Sequence, residues 1–337
     1  MQFTSVLTTL GALFAAAASA QQYAGEIIET NLPNVPGAEI AYFKIPGVQD
    51  SNSKKAANLT LINYMSYGSN GKRLVESNVQ RAVIIVHGLN RDPGTYESNM
   101  LSALAKVKSD SNISRDSVAV MAPYFPNGMC TLRCSVASNA NAISGDDKGK
   151  GYPWTDGLKP QRGSTTSALV WKSSQWSAGA NNQYPYYSQT TSSYTVLDTL
   201  VQYFDDRTLF PNMKQIVVAG HSLGAQTVQR YAAIGKQLGT KSPVTYWIGN
   251  PNSYVWLDAN RPLSTTSCPE YDFYRDGYTN FTEYPSKSLQ SKDQDCPLTP
   301  QTSDLRPEPC LIRTSSYHRQ LPEQADRLRS WYTRQGR

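Results

Sequence analysis

The sequence predicts an α/β fold, a mostly parallel sheet with helices on both faces. Three observations carry that expectation. Residues 81–87 (RAVIIVH) and 117–123 (SVAVMAP) are short, continuous apolar runs, as strands buried on both faces are. Residues 96–107 and 190–204 set apolar side chains at helical spacing between such runs. Residues 214–233 (KQIVVAGHSLGAQTVQRYAA) pass from a β-branched run, through a serine flanked by glycines, straight into a helical pattern.

The elements follow in order. Residues 6–17 form an apolar stretch, and Ala18-Ser19-Ala20 is a small-residue cleavage site before Gln21, so residues 1–20 read as a signal peptide. The stretch is too short for a stable membrane anchor. The expectation is a secreted, extracellular protein with its core in 21–285. Residues 39–45 (EIAYFKI) and 58–65 (NLTLINYM) alternate apolar and polar side chains, as antiparallel edge strands do. Strand 81–87 and helix 96–107 come next, then strand 117–123, helix 190–204, the strand beginning near Ile216, its helix, and strand 242–249 (SPVTYWIG). Residues 127–189 are a long excursion rich in Gly, Ser and Asn, with Trp154, Trp171, Trp176, Tyr184, Tyr186 and Tyr187. A loop of that length is a candidate lid or cleft wall.

Composition narrows the function class. The chain has 337 residues and a formal net charge of +6 that is spread along it, without the basic run of a nucleic-acid binder. No Cys/His spacing suits zinc, and no metal or organic cofactor is implied. Of five cysteines, Cys130 and Cys134 are near enough to close a small loop; two of Cys268, Cys296 and Cys310 can pair, leaving one odd thiol. Sequons at Asn58, Asn112 and Asn280 agree with secretion.

The chemistry centres on residues 220–224 (GHSLG). A serine hydroxyl attacks an acyl carbon only when a base takes its proton and donors meet the oxyanion. G-x-S-x-G between a strand and a helix is a nucleophile elbow, which makes Ser222 the candidate nucleophile. Gly220 and Gly224 leave room for the sharp turn, and the new helix presents free N–H groups there. Strand 81–87 ends in His87-Gly88-Leu89-Asn90. Gly88 lets the N–H of Leu89 or Asn90 face the site, and the N–H of Leu223 is the second expected donor. The chain has three histidines. His87 belongs to the turn and His221 points away from the elbow, which leaves His318 as the candidate base, last in the chain order of this mechanism. Asp258 is the first choice for the orienting acid, ahead of Asp293 or Asp295; Asp272 and Asp276 also follow the last strand.

Residues 87–90, the elbow segment 219–232 (AGHSLGAQTVQRYA), 169–185 (LVWKSSQWSAGANNQYP) and 248–258 (IGNPNSYVWLD) together resemble a secreted fungal α/β-hydrolase family, serine esterase- or lipase-like, whose substrates are largely unassigned. The resemblance runs over 38–284. It implies the α/β-hydrolase fold with a long insertion after strand 117–123, an esterase-type serine mechanism, and donors from the 87–90 turn and Leu223. The likeness stops near Pro285. Residues 286–309 (SKSLQSKDQDCPLTPQTSDLRPEP) hold no apolar run fit for a central strand and several prolines, and Cys310-Leu311-Ile312 is the only short candidate. Two explanations compete for this atypical 286–337 segment: a shortened or scrambled C-terminus, which the sequence favours, or a reduced sheet. Either bears on Asp293, Asp295 and His318 and leaves Ser222 untouched. The expected function is hydrolysis of a small-molecule or polymeric carboxylic ester through an acyl-enzyme, with no cofactor. The alternative is a catalytically inactive hydrolase-fold protein that binds through its aromatic excursion.

Overall fold

The computed structural model describes residues 23–27, 32–46, 48–49, 58–110, 113–130, 143–144, 169–182, 189–256, 260–272, 276–277 and 284. Contacts group the chain into two compact units, Met1–Tyr254 and Val255–Arg337. The first unit carries a seven-stranded sheet: β1 Tyr23–Ile27, β2 Ala38–Pro46, β3 Asn58–Ser66, β4 Arg81–Val86, β5 Val118–Pro123, β6 Gln215–His221 and β7 Val244–Gly249. Its spatial order is β1-β2-β3-β5-β4-β6-β7. The pairs from β1 through β3 to β5 are antiparallel; those from β5 through β4 and β6 to β7 are parallel. Helices α1 Pro93–Asp110, α2 Ser193–Asp205 and α3 Leu223–Ile234 cover the parallel half. A mixed sheet whose parallel half turns from a strand into a helix at G-x-S-x-G is the α/β-hydrolase fold.

Alternation along the strands builds the two cores. Val83 and Ile85 of β4, with Val217 and Ala219 of β6, face Tyr96, Met100, Leu101 and Leu104 of α1. Tyr42, Ile62 and Tyr64 extend that cluster onto β2 and β3. Phe43, one residue along β2, points to the opposite face and meets Tyr203 of α2 edge-on at 5.1 Å. Tyr203, Phe204 and Phe210 pack on one another with centroids 5.1–5.3 Å apart.

Two features differ from the sequence expectation. Strand β1 is additional, paired with β2 through Tyr23↔Phe43 and Ile27↔Ala41 with a register shift between them. Strand β2 therefore lies inside the sheet, and Ala41, Tyr42 and Phe43 are buried in succession, on both faces. Its polar Glu39 is tolerated there because the Arg73 guanidinium pairs with it at 2.9 Å.

Within the second unit, the Arg261 guanidinium lies over the rings of Trp256 at 5.5 Å and Tyr271 at 5.0 Å and pairs with Asp272 at 3.2 Å. Cys268 is exposed with a free thiol. The side chains of Cys130 and Asn58, and the whole of Cys134, Cys296, Cys310, Asn112 and Asn280, lie outside the described residues, as does the leader.

Candidate active site

Ser222 sits where β6 becomes α3, with φ 57° and ψ −123°. For a residue with a Cβ this is strained backbone, and such strain costs about 1–3 kcal/mol. The flanking glycines make it reachable. A Cβ on Gly220 would strike the Gly224 backbone, and a Cβ on Gly224 would strike the Val86 carbonyl and lie 2.6 Å from the His87 carbonyl. The turn is tied at both ends: Ser222 N–H donates to Gly249 O at 3.0 Å, and Gln226 N–H donates to Ser222 O at 3.1 Å. The Ser222 hydroxyl does not cap its helix. It remains half-buried and available at the C-terminal edge of the parallel strands.

The second turn follows β4 and lies directly against the first. A Cβ on Gly88 would stand 3.7 Å from His221 O and 2.6 Å from the Tyr96 hydroxyl. His87 anchors it from below. The ring is fully buried, and its Nε2 accepts a hydrogen bond from Phe125 N–H at 2.9 Å. That fixes the tautomer: Nδ1 carries the proton and donates to Gly88 O at 3.0 Å. Burial above all, with the nearby Arg91 charge, holds the imidazole down at about 4, against backbone hydrogen bonds that oppose the shift. A neutral, doubly bonded, buried imidazole is a structural group, as the sequence reading has it, and cannot serve as the base. His221 is exposed.

Gly88, Leu89, Ser222 and Leu223 are thus brought into one pair of touching turns. The N–H groups of Leu89 and Leu223 have no acceptor among the described residues. The first lies on an exposed residue and the second on a half-buried one. His318 and Asp258 lie outside the described residues, as do Asp293 and Asp295. Asp272 is engaged by Arg261 at 3.2 Å.

The sequence reading missed the supports of the second turn. Trp176 packs edge-on to His87 at 4.7 Å and stacks on Phe125 at 5.6 Å, and Trp171 lies 5.2 Å from Phe125. Trp171 and Trp176 are fully buried, and Trp171 Nε1–H donates to Ala180 O at 3.0 Å. These two rings of the excursion are therefore core beneath the turn and do not line a cleft; Trp154, Tyr184, Tyr186 and Tyr187 lie outside the described residues. The only sequence signal was the density of aromatics.

A scan of protein-family models finds no match. No curated protein matches in sequence either. Among solved structures, a poly(aspartic acid) hydrolase from Sphingomonas sp. is 14% identical with a TM-score of 0.32, over 70% of this chain and 65% of that one. A poly(3-hydroxybutyrate) depolymerase from Bordetella parapertussis is 13% identical at 0.29, over 66% and 57%. A siderophore hydrolase from Aspergillus nidulans is 14% identical at 0.29, over 63% and 58%. The chain spans less than two thirds of the length of each of these. The strand order and the strained strand-to-helix turn at Ser222 are those of the α/β-hydrolase fold.

Proposed function

We propose that this chain is a secreted serine hydrolase that cleaves a carboxylic ester, small or polymeric, through an acyl-enzyme. The observation that carries the reading is the Ser222 elbow held against the Gly88 turn, with the Leu89 and Leu223 N–H groups open beside it. The Ser222 hydroxyl adds to the ester carbonyl carbon, and its proton passes to the His318 imidazole, which Asp258 orients. The carbonyl oxygen becomes an oxyanion that the two N–H groups stabilise, a contribution worth about 10²–10³ in rate per donor in enzymes of this type. Collapse breaks the bond to the alcohol, which leaves with the proton from His318. Water then enters by the same steps in reverse and frees the acid. The mechanism asks for no metal or organic cofactor. The apolar stretch 6–17 and the small residues at 18–20 support export with loss of the leader.

The rival reading, an inactive binding protein of the same fold, draws on the polar composition of 286–309, where the strand leading toward His318 would be expected. An ester panel from acetate to long-chain p-nitrophenyl esters separates the two. The proposal expects turnover that is lost in both Ser222→Ala and His318→Ala. Turnover lost in Ser222→Ala and kept in His318→Ala would replace the base. A folded wild type that turns over none of the esters would favour the binding protein.

A further inference from the structure

The backbone turn 88–91 has an unusual hydrogen-bond pattern. Gly88 O accepts twice, from the His87 Nδ1–H at 3.0 Å and from Arg91 N–H at 3.1 Å. Leu89 O accepts from the Arg91 guanidinium at 2.5 Å. The main-chain bond closes a turn over Leu89 and Asn90, and the φ of 53° at Arg91, in the left-handed region, sets the direction in which its side chain leaves the backbone. Arg91 is 7% exposed, so its charged head is folded into the turn and not spread on the surface.

A trans peptide is planar, and its C=O and N–H point in opposite directions. The Gly88 carbonyl shares a plane with the Leu89 N–H, and the Leu89 carbonyl shares one with the Asn90 N–H. Holding the two carbonyls on the inner side of the turn therefore aims the two N–H groups outward. We infer that Arg91 is the positioning residue of the oxyanion site: its main-chain N–H and its guanidinium lock consecutive peptide planes so that the Leu89 N–H, with that of Asn90 behind it, is presented to the reacting carbonyl. This rests on Ser222 being the nucleophile. Without the guanidinium bond the 89–90 peptide, which carries the Asn90 N–H, can rotate about the Leu89 Cα, and the adjoining Leu89 N–H is left held through Gly88 O alone. The catalytic value of such donors lies in that prior orientation.

The test compares full-length wild type, Ser222→Ala, Arg91→Gln and Arg91→Lys in p-nitrophenyl butyrate hydrolysis, with circular dichroism melts of each. Arg91→Gln is expected to lower kcat about tenfold or more with KM within about twofold, because the lost interaction is made only in the transition state. Arg91→Lys, which keeps a cationic donor, is expected to recover part of that loss. Folded variants that both retain wild-type kcat, or that raise KM and leave kcat alone, overturn the assignment while leaving the serine mechanism standing. Unfolding of both variants overturns it too, since Arg91 would then be a folding residue. A wild type no faster than Ser222→Ala sinks the serine mechanism itself, and this inference with it.

Discussion

The elbow at Ser222 and the turn at Gly88 touch one another yet are held by opposite means. The elbow exists because side chains are missing: Gly220 and Gly224 let α3 close on β6 and β4 at distances where any Cβ would overlap backbone. The Gly88 turn exists because side chains are present. His87, Arg91, Tyr96 and Trp176 bond to it or fill the space around it. A catalytic serine needs a strained but unobstructed backbone, whereas oxyanion donors need a backbone that cannot relax. Steric permission serves the first, and a packed hydrogen-bonded cradle serves the second.

That contrast can be broken at either end. The largest effect belongs to Gly224→Val, whose branched side chain would meet the Val86 and His87 carbonyls. The expected outcome is loss of the folded state, a cost of about 4 kcal/mol or more, read from soluble yield and urea unfolding. A Gly224→Val protein that melts like the wild type would remove the steric account of the elbow. Next comes Trp176→Ala, which empties the space beneath His87 and Phe125. Truncating a fully buried tryptophan costs about 3–5 kcal/mol, and the urea midpoint should fall accordingly. A loss under about 1 kcal/mol would mean that the cradle is not held by packing.

The smallest of the three is a pH effect. His87 is neutral when folded, with its proton affinity lowered from 6.5 to about 4. The unfolded chain therefore binds the extra proton first as pH falls. The contribution is complete above 6.5 and is lost progressively down to about 4, roughly 3 kcal/mol in all. Glu97 acts in the opposite sense: it is buried, both its carboxylate oxygens lack partners among the described residues, and burial pushes its carboxyl well above the usual range. Its contribution is present at low pH and declines as pH rises past the ordinary carboxylate value. The quantity to measure is thus the difference between wild type and His87→Gln, in which the Glu97 contribution is common. Stability differences between the two that do not change across pH 4–6.5 would contradict a neutral, buried His87.

Legibility followed the same division. The parallel strands announced themselves through uninterrupted apolar runs, and 81–87 and 117–123 match β4 and β5 to within a residue. The elbow was legible because its requirement is local, two glycines around a serine between a strand and a helix. The extra strand β1 was not, since YAGEI has little strand character of its own and is placed by pairing with β2. The cradle was hidden for a related reason. Arg91 in HGLNR reads as one more surface charge until its positive φ and its bond to Leu89 O are known. Phe125 and Trp176 reach His87 from 38 and 89 positions along the chain, and no periodicity encodes such a meeting. The acid and the base were assigned by chain order and elimination, which names candidates and supplies no geometry.

An activated Ser222 facing the Gly88 turn should react covalently with an electrophilic phosphonate. The most direct measurement is mass-spectrometric mapping of the adduct formed by a fluorophosphonate probe with the folded, full-length protein. A single stoichiometric adduct is expected on the tryptic peptide 215–230, at Ser222, absent from Ser222→Ala. A folded protein that takes up no probe, or takes it up at another residue, would contradict an activated Ser222.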